Sequence, residues 1–360
     1  VKNRVSPPLI PPHVSVTTGT PVRPAAATKM AKKLQKFIII FDNMNLLYFP
    51  GQFVTGRVHI ELEEEIPVGG LYFHVVGEGV VYLTDRRTRT TEKENYIDFR
   101  MRLLGEPGQG PILLSPGIHS FPFKLGLPTG LPSTFLGKHG WVQYFCKAAI
   151  KEPNGLTHKN QHVFIVMNPI DLNLEPALLG QPFHCEIEHK LGLSCMKNGQ
   201  VHCRVRLDKG GYVPGETIGI WATIQNDSRV AIKRTKASLT ETIQYTAQSR
   251  IVQTETRELC AISRGQVKVG ETDTWTNEQL YIPPLPPTNL RGCHLIKIQY
   301  DVFFIIEPKS FEKEIKLQLP IMMATYPLRN GDGTLKKKRG AHYPSTLPIF
   351  RPWLDEKTFE

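Results

Sequence analysis

The sequence predicts an all-β protein built from two tandem immunoglobulin-like β-sandwiches, and three observations carry that prediction. The first is a repeated turn and strand. Pro50-Gly51 and the alternating run after it recur as Pro214-Gly215, 164 residues later, and at that offset Val54, Val58 and Ile60 fall on Ile218, Ala222 and Ile224. Pro pre-sets φ for the first turn position, Gly accepts the positive φ that follows, and equal parity of the apolar residues means both copies bury the same face. The second is another anchor in the same order: Val142-Gln143-Tyr144 falls on Ile298-Gln299-Tyr300 at an offset of 156. A Pro-rich turn precedes each, Leu127-Pro128-Thr129 in the first half and Leu285-Pro286-Pro287-Thr288 in the second. Recurrence in order is what duplication of one domain predicts. The third is a succession of short strand patterns with no apolar stripe of helical period across residues 37–167.

Taken in order, residues 1–34 read as a disordered Pro-rich and basic arm, with Pro7-Pro8, Pro11-Pro12, Pro21 and Pro24 among Ser, Thr and Ala. The chain begins at Val1, and Met30, just before Ala31-Lys32-Lys33, reads as the natural start. The first sandwich is expected over residues 35–168. It opens with Phe37-Ile-Ile-Ile-Phe41, whose β-branched centre favours a strand. The polar stretch between Leu83 and Tyr96 reads as a hairpin excursion. After it, Ile97, Phe99, Met101 and Leu103 alternate with Asp98, Arg100 and Arg102 as in a half-buried strand. Asn168-Pro169, Glu175-Pro176 and Gln181-Pro182 stiffen a connector over 169–182. The second sandwich is expected over 183–328, with Val201, Cys203, Val205 and Leu207 marking its first clear strand. Residues 329–360 read as a flexible basic tail.

Size and composition narrow the function. The 360 residues suffice for two ordinary domains, and no apolar run approaches membrane-spanning length. No secretory signal opens the chain and its six cysteines form no tight framework, so reduced intracellular thiols are expected. The net charge is +11, yet Lys2, Arg4, Arg23, Lys29, Lys32, Lys33 and Lys36 stand together at the start with no acid, and further basic excess lies beyond Pro327. The body between is nearly neutral, which argues against nucleic acid as a partner, because a nucleic-acid domain usually owns its basic face.

Candidate chemistry is sparse. There is no G-x-S-x-G elbow, no phosphate loop ending in Gly-Lys-Ser/Thr and no H-E-x-x-H. His184, Cys185, His189, Cys195, His202 and Cys203 place six potential ligands within twenty residues, enough for tetrahedral zinc. Their spacing is irregular and Cys203 sits on the apolar phase of its strand, so a buried thiol among surface histidines is the competing reading, and no metal or cofactor is assigned. Lys32, Lys33 and Lys36, joined by Arg86, Arg87 and Arg89, form a basic group able to receive acidic or phosphorylated tails, or to stand as a solvated face. No catalytic residue is assigned, and the chain is read as not an enzyme.

Several motifs resemble the α-arrestins, also called arrestin-domain-containing proteins: Phe37 to Asp42, Phe49-Pro-Gly-Gln-x-Val-x-Gly56, Gly137-Lys-His-Gly-Trp-Val-Gln-Tyr144, Lys209-Gly-Gly-Tyr-Val-Pro-Gly-Glu216 and Leu319-Pro-Ile321. The likeness spans about residues 35–328 and implies the arrestin fold. It also implies a non-catalytic adaptor in the cytoplasm, recruited to plasma membrane and endosomes with peripheral membrane association. Such an adaptor links membrane receptor or transporter cargo to a Nedd4-type ubiquitin ligase. Ligase recruitment in the family uses Pro-Pro-x-Tyr motifs after the second domain, and none occurs in this chain; Pro283-Pro284-Leu285-Pro286-Pro287 lies inside the second sandwich and lacks the Tyr. Either the tail motif lies beyond Glu360 or direct recruitment is lost. Two rival classes stay open: a redox- or metal-responsive regulator on the same fold, working through Cys185, Cys195 or Cys203, and a retromer-like coat subunit.

Overall fold

Strands whose side chains alternate between a core-facing and an outer face build the first half. In a computed structural model, which describes residues 33–84, 89–191 and 199–329, its strands are β1 (Leu34–Phe41), β2 (Leu47–Tyr48), β3 (Phe53–Leu62), β4 (Ile66–Val68), β5 (Gly70–Thr84), β6 (Arg89–Leu104), β7 (Ile112–Leu114), β8 (Gly117–Gly126), β9 (Phe135–Leu136), β10 (Gly140–Lys151) and β11 (Thr157–Val166). One sheet runs β1-β3-β8 and the facing sheet β2-β11-β10-β5-β6, with β9 on β10 and β4-β7 as a separate ribbon. Val54, Val58 and Ile60 of β3 point inward, as their parity requires, into the same core as Phe73 of β5 and Val142 and Tyr144 of β10. Phe123 seals that core by stacking on Phe73, with ring centres 4.1 Å apart.

The second half repeats the plan. After a 3-10 turn at Ala177–Gly180 come β12 (Phe183–Lys190), β13 (Gln200–Leu207), β14 (Gly211–Tyr212), β15 (Thr217–Asn226), β16 (Ile232–Ala247), β17 (Arg250–Arg264), β18 (Thr272–Tyr281), β19 (Ile296–Pro308) and β20 (Ile315–Met323). The sheets run β12-β13-β15-β18 and β14-β20-β19-β16-β17. Two tandem β-sandwiches are therefore present. Strand β15 stands where β3 stood, and Ile218, Ala222 and Ile224 are buried like their counterparts. The short parallel pairings recur too, β2 with β11 and β14 with β20, so Tyr48 and Tyr212 occupy matching places.

The Pro-Gly turns work as their chemistry requires. Gly51 and Gly215 have φ of +84° and +88°, and each donates its N–H to the chain just past the neighbouring strand of its own sheet, to Leu127 at 3.1 Å and to Ile282 at 3.0 Å. Those bonds correct the alignment of the Pro-rich turns. Leu127 corresponds to Ile282, and the true partner of Leu285-Pro286-Pro287-Thr288 is Leu131-Pro132-Ser133-Thr134. The buried hydroxyl of Tyr144 donates to the Pro132 carbonyl at 2.6 Å, as Tyr300 does to Pro286 at 2.8 Å. Thr134 and Thr288 then accept from Val166 and Met323 through their hydroxyls.

Two other expectations are refined. From Arg89 to Asn95 the polar stretch before Tyr96 is already part of β6, whose edge position beside β5 lets polar residues occupy a strand, while residues 85–88 lie outside the described residues. The connector is no free spacer: Ile170 and Leu172 are buried with Val213 and Ala324, and Asp171 bridges to Tyr326.

Candidate functional site

The residues that set this protein apart from two unrelated sandwiches lie at the seam between them. The turn joining β9 to β10, Gly137-Lys-His-Gly140, presses on Tyr245 of β16. A Cβ on Gly137 would stand 2.5 Å from the Tyr245 hydroxyl, and one on Gly140 would stand 3.1 Å from both Tyr245 Cδ1 and Ile296 Cδ1. Only glycine allows that approach. His139 meets the Tyr245 ring edge-on at 5.5 Å and reaches Glu255 of β17 at 3.2 Å, and the Tyr245 hydroxyl donates to the same carboxylate at 3.2 Å.

A second latch joins β6 to the loop before β19. Glu94 accepts from the His294 backbone N–H at 3.0 Å, from its own strand's Tyr96 hydroxyl at 3.1 Å, and pairs with the His294 ring at 2.5 Å. The hydrogen bond and charge of Glu94 raise the His294 pKa above its ordinary value. Nearby, Arg291 reaches back to Glu175 of the connector at 2.7 Å. These contacts couple residues up to 200 positions apart in sequence.

The Lys209 to Glu216 motif has a different role. Lys209 Nζ sits 2.8 and 2.7 Å from the two Glu216 oxygens, with the side chains only 12% and 7% exposed. Glu216 also accepts from the Val213 N–H at 3.0 Å. Asp208 takes the Tyr212 hydroxyl at 2.7 Å and the Gly219 N–H at 2.8 Å. This network locks the turn from β13 through β14 into β15. It is a fastening of the fold.

The six-residue zinc candidate is not assembled. β12 and β13 pair antiparallel with Glu186 facing Arg204, and alternation sends His184 and His202 to the outer side while Cys185 and Cys203 point to the core. His184 and His202 face Glu186 and Glu188 at 4.0 and 3.2 Å. Cys195 lies outside the described residues, and no group of three or more His, Cys, Asp or Glu among the described residues is placed to hold a metal. Burial pushes the Cys203 thiol up to about 12 and raises those of Cys146, Cys260 and Cys293, the opposite of a reactive thiolate. Of the basic group, Lys33 pairs with Glu64 at 2.9 Å and Lys36 is exposed on β1. Lys32, Arg86 and Arg87 fall outside the described residues, as does the side chain of Arg89.

Sequence reasoning took Val142 to Tyr144 as a strand anchor and Gly137 to Tyr144 as a family motif, and missed the docking role of Gly137 to Gly140. The two glycines bracketing Lys138-His139 were the available signal.

Comparison with known proteins matches both halves. The family model of the arrestin (or S-antigen) N-terminal domain covers residues 37–173, and that of the C-terminal domain covers residues 197–328. Arrestin domain-containing protein 4 of Homo sapiens is 30% identical over 346 residues, spanning 92% of this chain and 79% of that protein. Its Mus musculus namesake is 30% identical over 304 residues, 81% of this chain and 71% of that one. Arrestin domain-containing protein 17 of Caenorhabditis elegans is 28% identical over 315 residues, 82% and 71% of the respective chains.

Proposed function

Because this chain belongs to the arrestin domain-containing proteins, we propose that it is a non-catalytic adaptor linking membrane receptors or transporters to ubiquitin ligase and endocytic sorting machinery. The observation that carries the reading is the seam. Two sandwiches docked through His139–Glu255 and Glu94–His294 hold two broad sheet faces in a fixed relation. Such a body produces proximity and effective concentration, whereas a reaction would need a nucleophile and base brought together. Its working place in this reading is the cytoplasm, with recruitment to plasma membrane and endosomes. Pro-Pro-x-Tyr is absent from these 360 residues, so ligase recruitment is the step an experiment must decide.

Affinity purification of the chain from cells tests the whole reading, with a variant disrupted at Pro50-Gly51 and Pro214-Gly215 as the misfolded control. Transmembrane receptors or transporters together with a ubiquitin ligase are expected from the native chain and lost from the control. Recovery of a stoichiometric coat complex, or of no membrane protein above control, would overturn it.

A further inference from the structure

Buried carboxylates in this protein come with a basic partner, with one exception. Among the described residues they are Glu78, Glu152, Glu216, Glu241 and Asp301. The first four meet Lys93, His158, Lys209 and Arg257 at 2.5, 2.8, 2.7 and 2.6 Å. Asp301 of β19, only 2% exposed, meets no basic side chain among the described residues. It accepts from two neutral amides instead. Gln299 reaches its two oxygens at 3.3 and 3.0 Å, and Gln318 of β20 reaches Oδ1 at 2.9 Å. A buried charge held without a countercharge is costly, so the site is short of one cation.

Asp301 does not point into the core. Tyr300 and Val302 fill the interior, so parity sends Asp301 and Phe303 to the outer face of the second sandwich's large sheet. On β16, Thr240 stands opposite Asp301 and Ser238 opposite Phe303. On β17, Glu258 stands opposite Thr240 and Ala261 opposite Ser238. Ser238 and Thr240 are small and sunk between exposed Ala261 and Glu258 on one side and half-buried Phe303 on the other, which leaves a shallow trough beside Asp301. The other carboxylates on this face are engaged: Glu258 holds Lys236 at 2.6 Å, and Glu307 holds Lys233 and Arg234.

The surroundings select the kind of cation. Oδ2 accepts a single amide bond and has acceptor capacity to spare. Gln318 is exposed, so its amide can swing aside, and a charge-assisted bond is roughly twice as strong as the neutral one it gives up. A guanidinium is a flat fork suited to two free oxygens, which Asp301 lacks. An ammonium is compact, its four-carbon stem can lie in the trough, and the Phe303 ring attracts the charge as well.

We propose that Asp301 anchors a lysine-binding site, in which a lysine of an extended segment of a partner protein displaces the Gln318 amide and lays its stem between Phe303 and Thr240. This goes beyond the adaptor reading, and the contact itself requires neither ligase nor membrane.

The test uses purified full chain and fluorescent nonapeptides of Ser and Val, blocked at both ends, with lysine, arginine, acetyl-lysine or norleucine at the centre, followed by anisotropy. Spermidine serves as a separate probe for a free amine. Asp301→Asn keeps the shape of the side chain and removes its charge, while Glu307→Gln removes equal charge from the same face. The lysine peptide is expected to bind, to lose about tenfold or more in Asp301→Asn or when its ammonium is replaced by acetyl-lysine or norleucine, and to change by under about threefold in Glu307→Gln, the scale of one hydrogen bond to a charged group. Gln318→Ala removes the competing amide and should tighten binding, which reads the site even where Asp301→Asn fails to fold. Equal loss in the two carboxylate variants would overturn the proposal, as would weaker binding in Gln318→Ala or tighter binding of the arginine or norleucine peptide. Capture of spermidine without the lysine peptide would overturn it too. If the lysine peptide fails to bind while receptors still co-purify from cells, this proposal falls and the adaptor reading stands.

Discussion

Replacing Lys209 by Met tests whether the most specific motif of the second sandwich is a structural fastening. Lys209 Nζ is held at 2.8 and 2.7 Å by Glu216, and both side chains are largely withdrawn from water. Removing the ammonium leaves a carboxylate whose remaining donor among the described residues is the Val213 N–H, at 3.0 Å. Orphaning one member of a buried pair costs about 3–5 kcal/mol, and the surviving amide bond with the residual exposure favours the lower figure, about 3 kcal/mol. The two sandwiches need not unfold together, so a single melting curve would blur the effect. Hydrogen exchange of β15, the strand the network secures, reads it directly. At about 3 kcal/mol its slowest amides should exchange roughly 150-fold faster, while those of β3 in the other sandwich stay unchanged. The double variant Lys209→Met, Glu216→Leu removes both charges and should recover most of the loss, since apolar replacement of a buried pair is often neutral. A single variant costing under about 1 kcal/mol, or a double variant as weak as the single, would refute the account, because either result means the pair is effectively solvated.

Two further predictions concern titration and reactivity. Glu94 raises the His294 pKa in the docked state, so the protonated ring's contribution to the seam is fully present below its free value of ~6.5 and is lost as pH rises through the raised value. Nuclear magnetic resonance titration of the ring should therefore give a midpoint above ~6.5 that returns toward it in Glu94→Gln; an unshifted native midpoint contradicts the latch. Burial holds the Cys203 thiol near 12 and raises that of Cys146, so at pH 8 both should resist a small alkylating reagent in native protein and label fully after unfolding. Rapid native labelling of either would reopen a redox role.

Much of the fold was legible because a strand writes itself into sequence with period two, and a duplicated strand writes itself twice. Val54 with Ile218 and Tyr144 with Tyr300 needed only an offset to be paired, and both pairs are buried. The turn alignment failed because a residue is inserted between Leu127 and Leu131 relative to Ile282 and Leu285, and a Leu-Pro dipeptide stands on either side of it. The hydrogen bonds tell the two apart: Gly51 bonds to Leu127, whereas Tyr144 bonds to Pro132 and Val166 to Thr134. The zinc candidate failed for a reason the sequence did contain. His184 and Cys185 are neighbours on a strand and so face opposite ways, as are His202 and Cys203. The seam left no periodic mark at all, since Glu94 and His294 belong to different sandwiches and neither residue type signals a partner.

Where the two halves differ, the difference shows which copy carries which burden. Tyr48 and Tyr212 occupy matching places beside the parallel pairings of β2 and β14, and both rings are buried. Tyr212 donates to Asp208, inside the network that Lys209 and Glu216 complete. The Tyr48 hydroxyl is buried with no hydrogen-bond partner among the described residues, and desolvation pushes its pKa up to about 12. An unpaired buried hydroxyl costs about 1–3 kcal/mol. The first sandwich therefore keeps the shape of the motif without its polar fastening. It relies instead on rings, for Tyr48 packs edge-on to Phe164 at 5.6 Å and Phe41 packs on Phe123 at 6.0 Å. The same turn is thus stabilised in two ways, by aromatic packing in the first sandwich and by a buried ion pair in the second. Tyr48→Phe removes only the orphan oxygen and should be neutral or stabilising, whereas Tyr212→Phe removes one of the donors to Asp208 from a buried network and should destabilise.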